Sequence, residues 1–301
     1  MSLPRLLRWL LAGLVVALGI WLVWRSTEDL GTAVRRLNAA AVVGAGLAAI
    51  GGTMAMQRCW FALLHGLGAE PEPTAASRLF YLSQLGKYLP GSVWPVLAQM
   101  EFGRRWGLGR TVMVAANLLF LGVITASGIV AGAILLPWSS ADGLARYWWL
   151  LLALIPLTAG LHPRTLPALL AWLWRRLGKE PLGITLTGTG LARAGAWAAL
   201  AWMLLGAHIT VLASAFGRPN VGEVAAATGA MALGWAAGII FIPAPAGAGV
   251  RDTVLALTLA PLIGTTPAVT VALASRVLLV VADVALAGQA GLRQRAISND
   301  V

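Results

Sequence analysis

The 301-residue sequence predicts an all-α polytopic membrane protein, and three observations carry that prediction. Hydrophobic residues make up 59% of the chain and charged residues 11%, where a soluble domain carries about a quarter. Mean hydropathy is +0.81. Apolar runs of membrane-crossing length recur along the whole chain, which reads as one integral membrane domain over residues 1–301.

Taken in order, residues 6–24 form the first predicted span, and Arg5 and Arg8 before it place the N-terminus in the cytoplasm. The run is long for a signal peptide and lacks a small-residue cleavage site, so it reads as an anchor. Residues 25–38 form a mixed-charge loop or interfacial helix with Glu28, Asp29, Arg35 and Arg36. The second span, 39–57, is rich in glycine and alanine, which lets neighbouring helices pack closely. Residues 58–78 return to the cytoplasmic side, and Glu70-Pro71-Glu72-Pro73 is a turn and a helix start.

Residues 79–102 are interrupted by Pro90, Gly91 and Pro95. They are expected to form a helix, a break and a second short helix, dipping into the membrane and returning on the same side. Residues 111–136 are a span, 137–146 an outer loop, and 147–161 a shorter span. In 162–182, Leu166, Leu169, Leu170, Leu173 and Leu177 share a helical face flanked by Trp172, Trp174, Arg175, Arg176 and Lys179, the pattern of a basic amphipathic helix on the inner leaflet. Spans at 190–213 and 221–242 lead to a second break, Ile242-Pro243-Ala244-Pro245-Ala246-Gly247-Ala248-Gly249. A short apolar helix at 250–263 and a last span at 267–288, with Arg276 and Asp283 inside it, complete the chain. The count is about eight crossings if 250–263 traverses the bilayer, with both termini cytoplasmic and most loop Lys and Arg inside; it becomes seven, with the C-terminus outside, if that helix is re-entrant, and the basic C-terminal end favours eight.

The net charge of +11 would suggest nucleic acid in a soluble protein. Here the cations belong to cytoplasmic loops facing anionic lipid head groups of the cell membrane, and no nucleic-acid partner is expected. The 14 tryptophans fit interfacial anchors. The single cysteine, Cys59, excludes an intrachain disulfide, and His65, His162 and His208 are too dispersed for a metal site. No cofactor is expected, and the sequence leaves the oligomeric state unassigned.

The two breaks fall in opposite halves of the chain, near 1–145 and 146–301, with Pro90 and Pro245 separated by 155 positions. Each pairs proline with small residues and leads into a short helix carrying charge, as the interrupted segments of repeat-built transporters do. The helix N-termini after the breaks offer free N–H groups and positive dipole character. Glycine leaves room for a ligand to reach the backbone. The expected site is therefore one for an anionic phosphate. Its candidate residues are Lys87, Tyr88, Pro90, Gly91, Trp94, Arg104 and Arg105 at the first break, and Pro245, Gly247, Gly249, Arg251 and Asp252 at the second. Arg276 and Asp283 join them from the last span, because charges inside membrane segments are costly and are retained for a function. Asp252 with Arg276, or Arg251 with Asp283, are the expected cross-helix pairs. Arg104 and Arg105 fit positive-inside residues as well, and Lys87 fits a snorkelling side chain.

At these stretches the chain resembles a known family. Gly86-Lys87-Tyr88-Leu89-Pro90-Gly91-Ser92-Val93-Trp94 and Pro243-Ala-Pro-Ala-Gly-Ala-Gly-Val-Arg-Asp252 are similar to the two signature regions of the lysylphosphatidylglycerol synthase transmembrane, flippase-like, family. The second signature of that family reads Pro-Gly-Gly-x-Gly, then a basic residue and Glu. Here Ala246 stands for the first Gly and Asp252 for the Glu. The resemblance covers nearly the whole chain. It implies a lipid-translocating domain without the aminoacyltransferase domain that bifunctional members carry.

The expected function is thus lipid movement between leaflets, with an anionic phospholipid or polyprenyl-phosphate head group held at the two breaks. A carrier for polyprenyl-linked sugar is the alternative within transport. Outside it stands a membrane partner of a lipid-modifying enzyme or glycosyltransferase. The chain is not expected to be an enzyme. Transfer on a lipid phosphate normally needs clustered carboxylates for Mg²⁺, and Asp252 and Asp283, with Glu223 at an edge, form no short-spaced pair. No P-loop is present to couple nucleotide hydrolysis.

Overall fold

Several helices begin where the sequence supplies caps. The computed structural model describes residues 27–88, 94–105, 109–154, 172, 175–176, 186–240, 247 and 249–299, without the side chains of 27–29, 102, 104, 105, 240 and 293–299. The predicted first span, residues 155–161 of the fourth, most of the interfacial segment at 162–182, and the centres of both breaks lie outside the described residues. Among the described residues ten α-helices follow one another: α1 Thr27–Arg36, α2 Ala39–Gly66, α3 Pro73–Gln84, α4 Trp94–Arg105, α5 Arg110–Leu135, α6 Gly143–Leu151, α7 Gly188–Ala213, α8 Val221–Ile240, α9 Val250–Ile263 and α10 Thr265–Asn299. Short 3-10 turns, Leu85–Tyr88 and Leu136–Trp138, extend α3 and α5.

Asn38 caps α2 by accepting the Ala41 N–H at 2.8 Å, and Thr187 caps α7 by accepting the Gly190 N–H at 3.2 Å. Glu72 caps α3 one residue before Pro73, as the Glu-Pro-Glu-Pro run predicts. The mixed-charge segment resolves as a helix, α1. α2 runs nine residues past its predicted end at 57, because Trp60, Leu63 and Leu64 continue the buried stripe.

Among the described residues four helices are long and apolar enough to cross a membrane: Ala39–Gly66, Arg110–Trp138, Gly188–Ala213 and Thr265–Leu292. α9 has 14 residues, or about 21 Å at 1.5 Å per residue, and alone does not reach across a hydrocarbon layer of about 30 Å.

Small residues set the packing. α2 and α7 lie antiparallel, and a Cβ on Gly190 would come within 2.5 Å of the Gly66 Cα. At that junction Thr187 N–H donates to the Gly66 carbonyl at 2.9 Å. α5 packs antiparallel on α8, α8 on α9, and α10 runs beside α2, α3, α7 and α9. With lipid outside, close backbone approach supplies dispersion contact that the hydrophobic effect does not. Phe80 joins the core in tilted contact with Trp60 and edge contact with Phe120.

The short helix α4 is held by a buried polar chain. Gln99 Nε2 donates to Ser83 Oγ of α3 at 2.7 Å, and Asn117 Nδ2 of α5 donates to Gln99 Oε1 at 2.6 Å. Each member is buried, so each bond avoids an unsatisfied polar group in an apolar interior.

Candidate functional site

The 3-10 turn Leu85–Tyr88 places Lys87 and Tyr88 at the first break. Its two ends stay close, because a Cβ on Gly86 would meet the Trp94 Cβ at 3.0 Å and Pro95 N at 3.2 Å. α4 therefore starts beside the turn that ends α3. Both side chains of the turn reach α10. Lys87 Nζ lies 2.7 Å from Asp283 Oδ2, and the Tyr88 hydroxyl donates to the same oxygen at 2.5 Å.

The second break ends in glycines with left-handed backbone, Gly247 at φ +65° and Gly249 at φ +80°, a conformation that costs an L side chain about 1–2 kcal/mol. Gly249 is the N-cap of α9. Asp252, in the first turn, accepts the Gly249 N–H at 3.2 Å. The Arg276 guanidinium of α10 donates to Asp252 Oδ2 at 2.8 Å, and Arg251 Nη2 stands 3.6 Å from Oδ1. α8 makes room for this segment through Gly234 and Gly238: a Cβ at Gly238 would lie 3.2 Å from the Gly247 Cα, and one at Gly234 would lie 3.1 Å from the Arg251 carbonyl oxygen.

Trp235 of α8 joins the two breaks. Lys87 Nζ is 5.7 Å from its ring centroid and Arg251 Cζ 5.4 Å from it, both within cation–π range. Trp202 braces the ring edge-on at 6.2 Å and is itself fixed by donating its indole N–H to Ser127 Oγ at 2.9 Å.

Lys87, Tyr88, Gly247, Gly249, Arg251, Asp252, Arg276 and Asp283 of the sequence-derived set thus come together. Of the expected pairs, Asp252–Arg276 forms. Arg251–Asp283 does not: Asp283 is taken by Lys87 and Tyr88, while Arg251 turns towards α8 and stacks near Trp235. Trp94 is 46% exposed at the far side of the first break. Pro90, Gly91 and Pro245 lie outside the described residues, as do the side chains of Arg104 and Arg105, whose backbone belongs to α4.

Trp235 is the residue that sequence reasoning missed. The available signal is Gly234-Trp235-Ala236-Ala237-Gly238, two small residues at i and i+4 around a large aromatic, a close-packing pattern. His208 packs as expected. Its Nδ1 donates to the Ala45 carbonyl at 2.8 Å, and Nε2 meets Ser275 Oγ at 2.9 Å, tying α7 to α2 and α10. Among the described residues no group of three or more His, Cys, Asp or Glu could hold a metal ion.

The cluster contains three cations, Lys87, Arg251 and Arg276, and two carboxylates, Asp252 and Asp283, for a balance of 3 − 2 = +1. Asp283 is 4% and Arg251 8% exposed. Ions so enclosed cost several kcal/mol each unless paired, and the surplus positive charge suits an incoming anion.

Residues 9–287 match the family model of the lysylphosphatidylglycerol synthase TM region. No curated protein sequence matches the chain.

Proposed function

The chain belongs to the lysylphosphatidylglycerol synthase TM region family, a membrane-embedded, multi-pass, lipid-associated domain, and from that premise we propose that it moves lipid between the two leaflets. A phosphate-bearing head group is held between the two breaks while the tail stays in the bilayer. One observation carries this reading: Lys87 from the first break and Arg251 from the second flank one aromatic ring, Trp235, inside a cluster of net charge +1. A head group there would bridge the two breaks, and charge-assisted contacts to phosphate are about twice as strong as neutral ones.

In this reading the protein sits in the cell membrane as a multi-pass domain, and its halves act as related units around the cluster. It performs no bond chemistry on the lipid. Phospholipid and polyprenyl-phosphate share the chemistry the cluster recognises, so the tail decides between them.

Reconstitution into liposomes tests the proposal. Vesicles carrying a fluorescent phospholipid or polyprenyl-phosphate are quenched from outside with dithionite, and loss beyond the outer-leaflet half reports exchange. Wild type is expected to exchange one of these lipids, and Arg251→Ala and Gly91→Leu to lose exchange while remaining folded. Folded wild type that exchanges neither lipid would sink the reading in favour of a partner to a lipid-modifying enzyme.

A further inference from the structure

Asp283 is the most enclosed charge of the cluster, its side chain 3% exposed against 20% for Lys87. Both of its described partners come from the first break and bind the same oxygen, Oδ2. They differ in kind. Lys87 brings a full charge on a flexible stem and also faces Trp235; Tyr88 brings a neutral hydroxyl. Lys87 is therefore the group an entering anion can draw away.

What remains around Asp283 cannot replace it. Arg276, on the same helix, is committed to Asp252 at 2.8 Å. Arg251 of α9 is held by Asp252 and Trp235, and Asp252 has the same charge as Asp283. His208 of α7 is bound to Ala45 and Ser275. α1 with Arg35 and Arg36, α2 with Arg58 and His65, and α3 with Arg78, which also pack on α10, supply no ion-pair partner to Asp283 among the described residues. A carboxylate left there without a cation would cost several kcal/mol, and buried charges avoid that cost by becoming neutral.

We propose that anion binding at this cluster is coupled to uptake of one proton by Asp283, so that a proton accompanies the phosphate head group as co-substrate; this rests on the lipid-binding reading above. One O–H bond forms, between a proton from water and the Asp283 carboxylate. The Lys87 ammonium keeps its protons and moves to a phosphate oxygen. Tyr88 continues to donate to the remaining carbonyl oxygen, so the neutral acid stays satisfied. A monoanionic phosphodiester plus a proton leaves the cluster at +1 − 1 + 1 = +1, the charge it holds when empty. Coupled transport is then electroneutral and follows a pH gradient rather than the membrane potential.

Titration calorimetry on the purified full chain tests this, with dihexanoyl phosphatidylglycerol as probe at about pH 7 in two buffers of different ionisation enthalpy. The probe's phosphodiester does not titrate in that range, so any proton taken up belongs to the protein. About one proton per probe bound is expected, with affinity about tenfold weaker for each unit rise in pH. Asp283→Asn and, independently, Lys87→Gln should each bind without proton uptake, the first because it has no carboxylate to protonate, the second because Asp283 has lost its cation before the probe arrives. Probe binding by wild type without proton uptake overturns the coupling and leaves the lipid reading standing. No probe binding by folded wild type overturns both. Dimethyl phosphate, the same diester without acyl chains, separates the sources: if it binds as tightly and with the same proton, the coupling stands and the lipid reading falls.

Discussion

Arg276 and Asp252 stand 2.8 Å apart across the α9–α10 contact, and the same carboxylate caps Gly249, the residue at which the second break becomes a helix. One side chain thus fixes both the start of α9 and its position against the last long helix. Arg276→Ala leaves Asp252 partly buried with a weaker partner, Arg251 at 3.6 Å. The expected loss is about 2–3 kcal/mol, below the 3–5 typical of a fully buried pair because Arg276 is partly exposed. Cys59, the single and buried cysteine, provides the readout: thermal unfolding in detergent followed with a fluorogenic maleimide. A double-mutant cycle with Asp252→Asn should give a coupling of about 1–3 kcal/mol; additive effects would show that the pair is incidental.

Gly247 combines φ +65° with a neighbour that tolerates no side chain, since its Cβ would sit 3.0 Å from the Gly238 Cα. Strain and contact act together, so Gly247→Ala is expected to cost more than about 1 kcal/mol and to displace α9 from α8. Gly188→Ala is the control, because nothing lies within 4 Å of its added Cβ. Equal melting temperatures for the two variants would contradict this account of the second break.

The breaks were legible because proline and glycine interrupt apolar runs, and the start of α9 at Val250 was legible as the point where the apolar run resumes after the second. The Asp252–Arg276 pair was legible from the cost of charge inside membrane segments. The partner of Asp283 was not: Arg251 and Lys87 were both available, and the rotation of α9 that points Arg251 at α8 has no local sequence signature. Trp235 was hidden by context. In a chain with 14 tryptophans, each looks like an interfacial anchor until helix packing places one between two cations.

Glu72 lies outside the spans and makes the capping of α3 pH-dependent. Its carboxylate accepts the Thr74 hydroxyl and the N–H groups of Thr74 and Ala75, the latter two at 2.9 and 2.7 Å, and these bonds hold its pKa below the usual value. A lowered folded-state pKa means the cap stabilises above the ordinary carboxylate range and is lost as pH falls through the folded value. Melting temperatures of wild type and Glu72→Gln should differ at about pH 6 and converge as pH falls below the ordinary carboxylate range. The exposed position keeps the gap under about 1 kcal/mol. A gap that widens on acidification would reverse the assignment.

Trp235 offers the sharpest separation of site from scaffold. Lys87 and Arg251 reach the same ring from opposite breaks at 5.7 and 5.4 Å. Each cation–π contact is worth about 0.5–2 kcal/mol, more as the site is desolvated. Removing the ring frees two cations at once and opens the space between the breaks. Trp235→Ala is therefore expected to slow lipid exchange about tenfold, the equivalent of about 1.4 kcal/mol. Trp235→Phe keeps an aromatic face and should recover much of that loss, whereas Trp235→Leu fills a similar apolar volume and should not. Trp202→Phe, which removes the bond to Ser127 Oγ and shortens a ring that packs on Trp235, should lower stability more than exchange. If Leu at position 235 exchanges lipid as well as Phe does, the ring acts through packing alone and the two breaks share no electrostatic site.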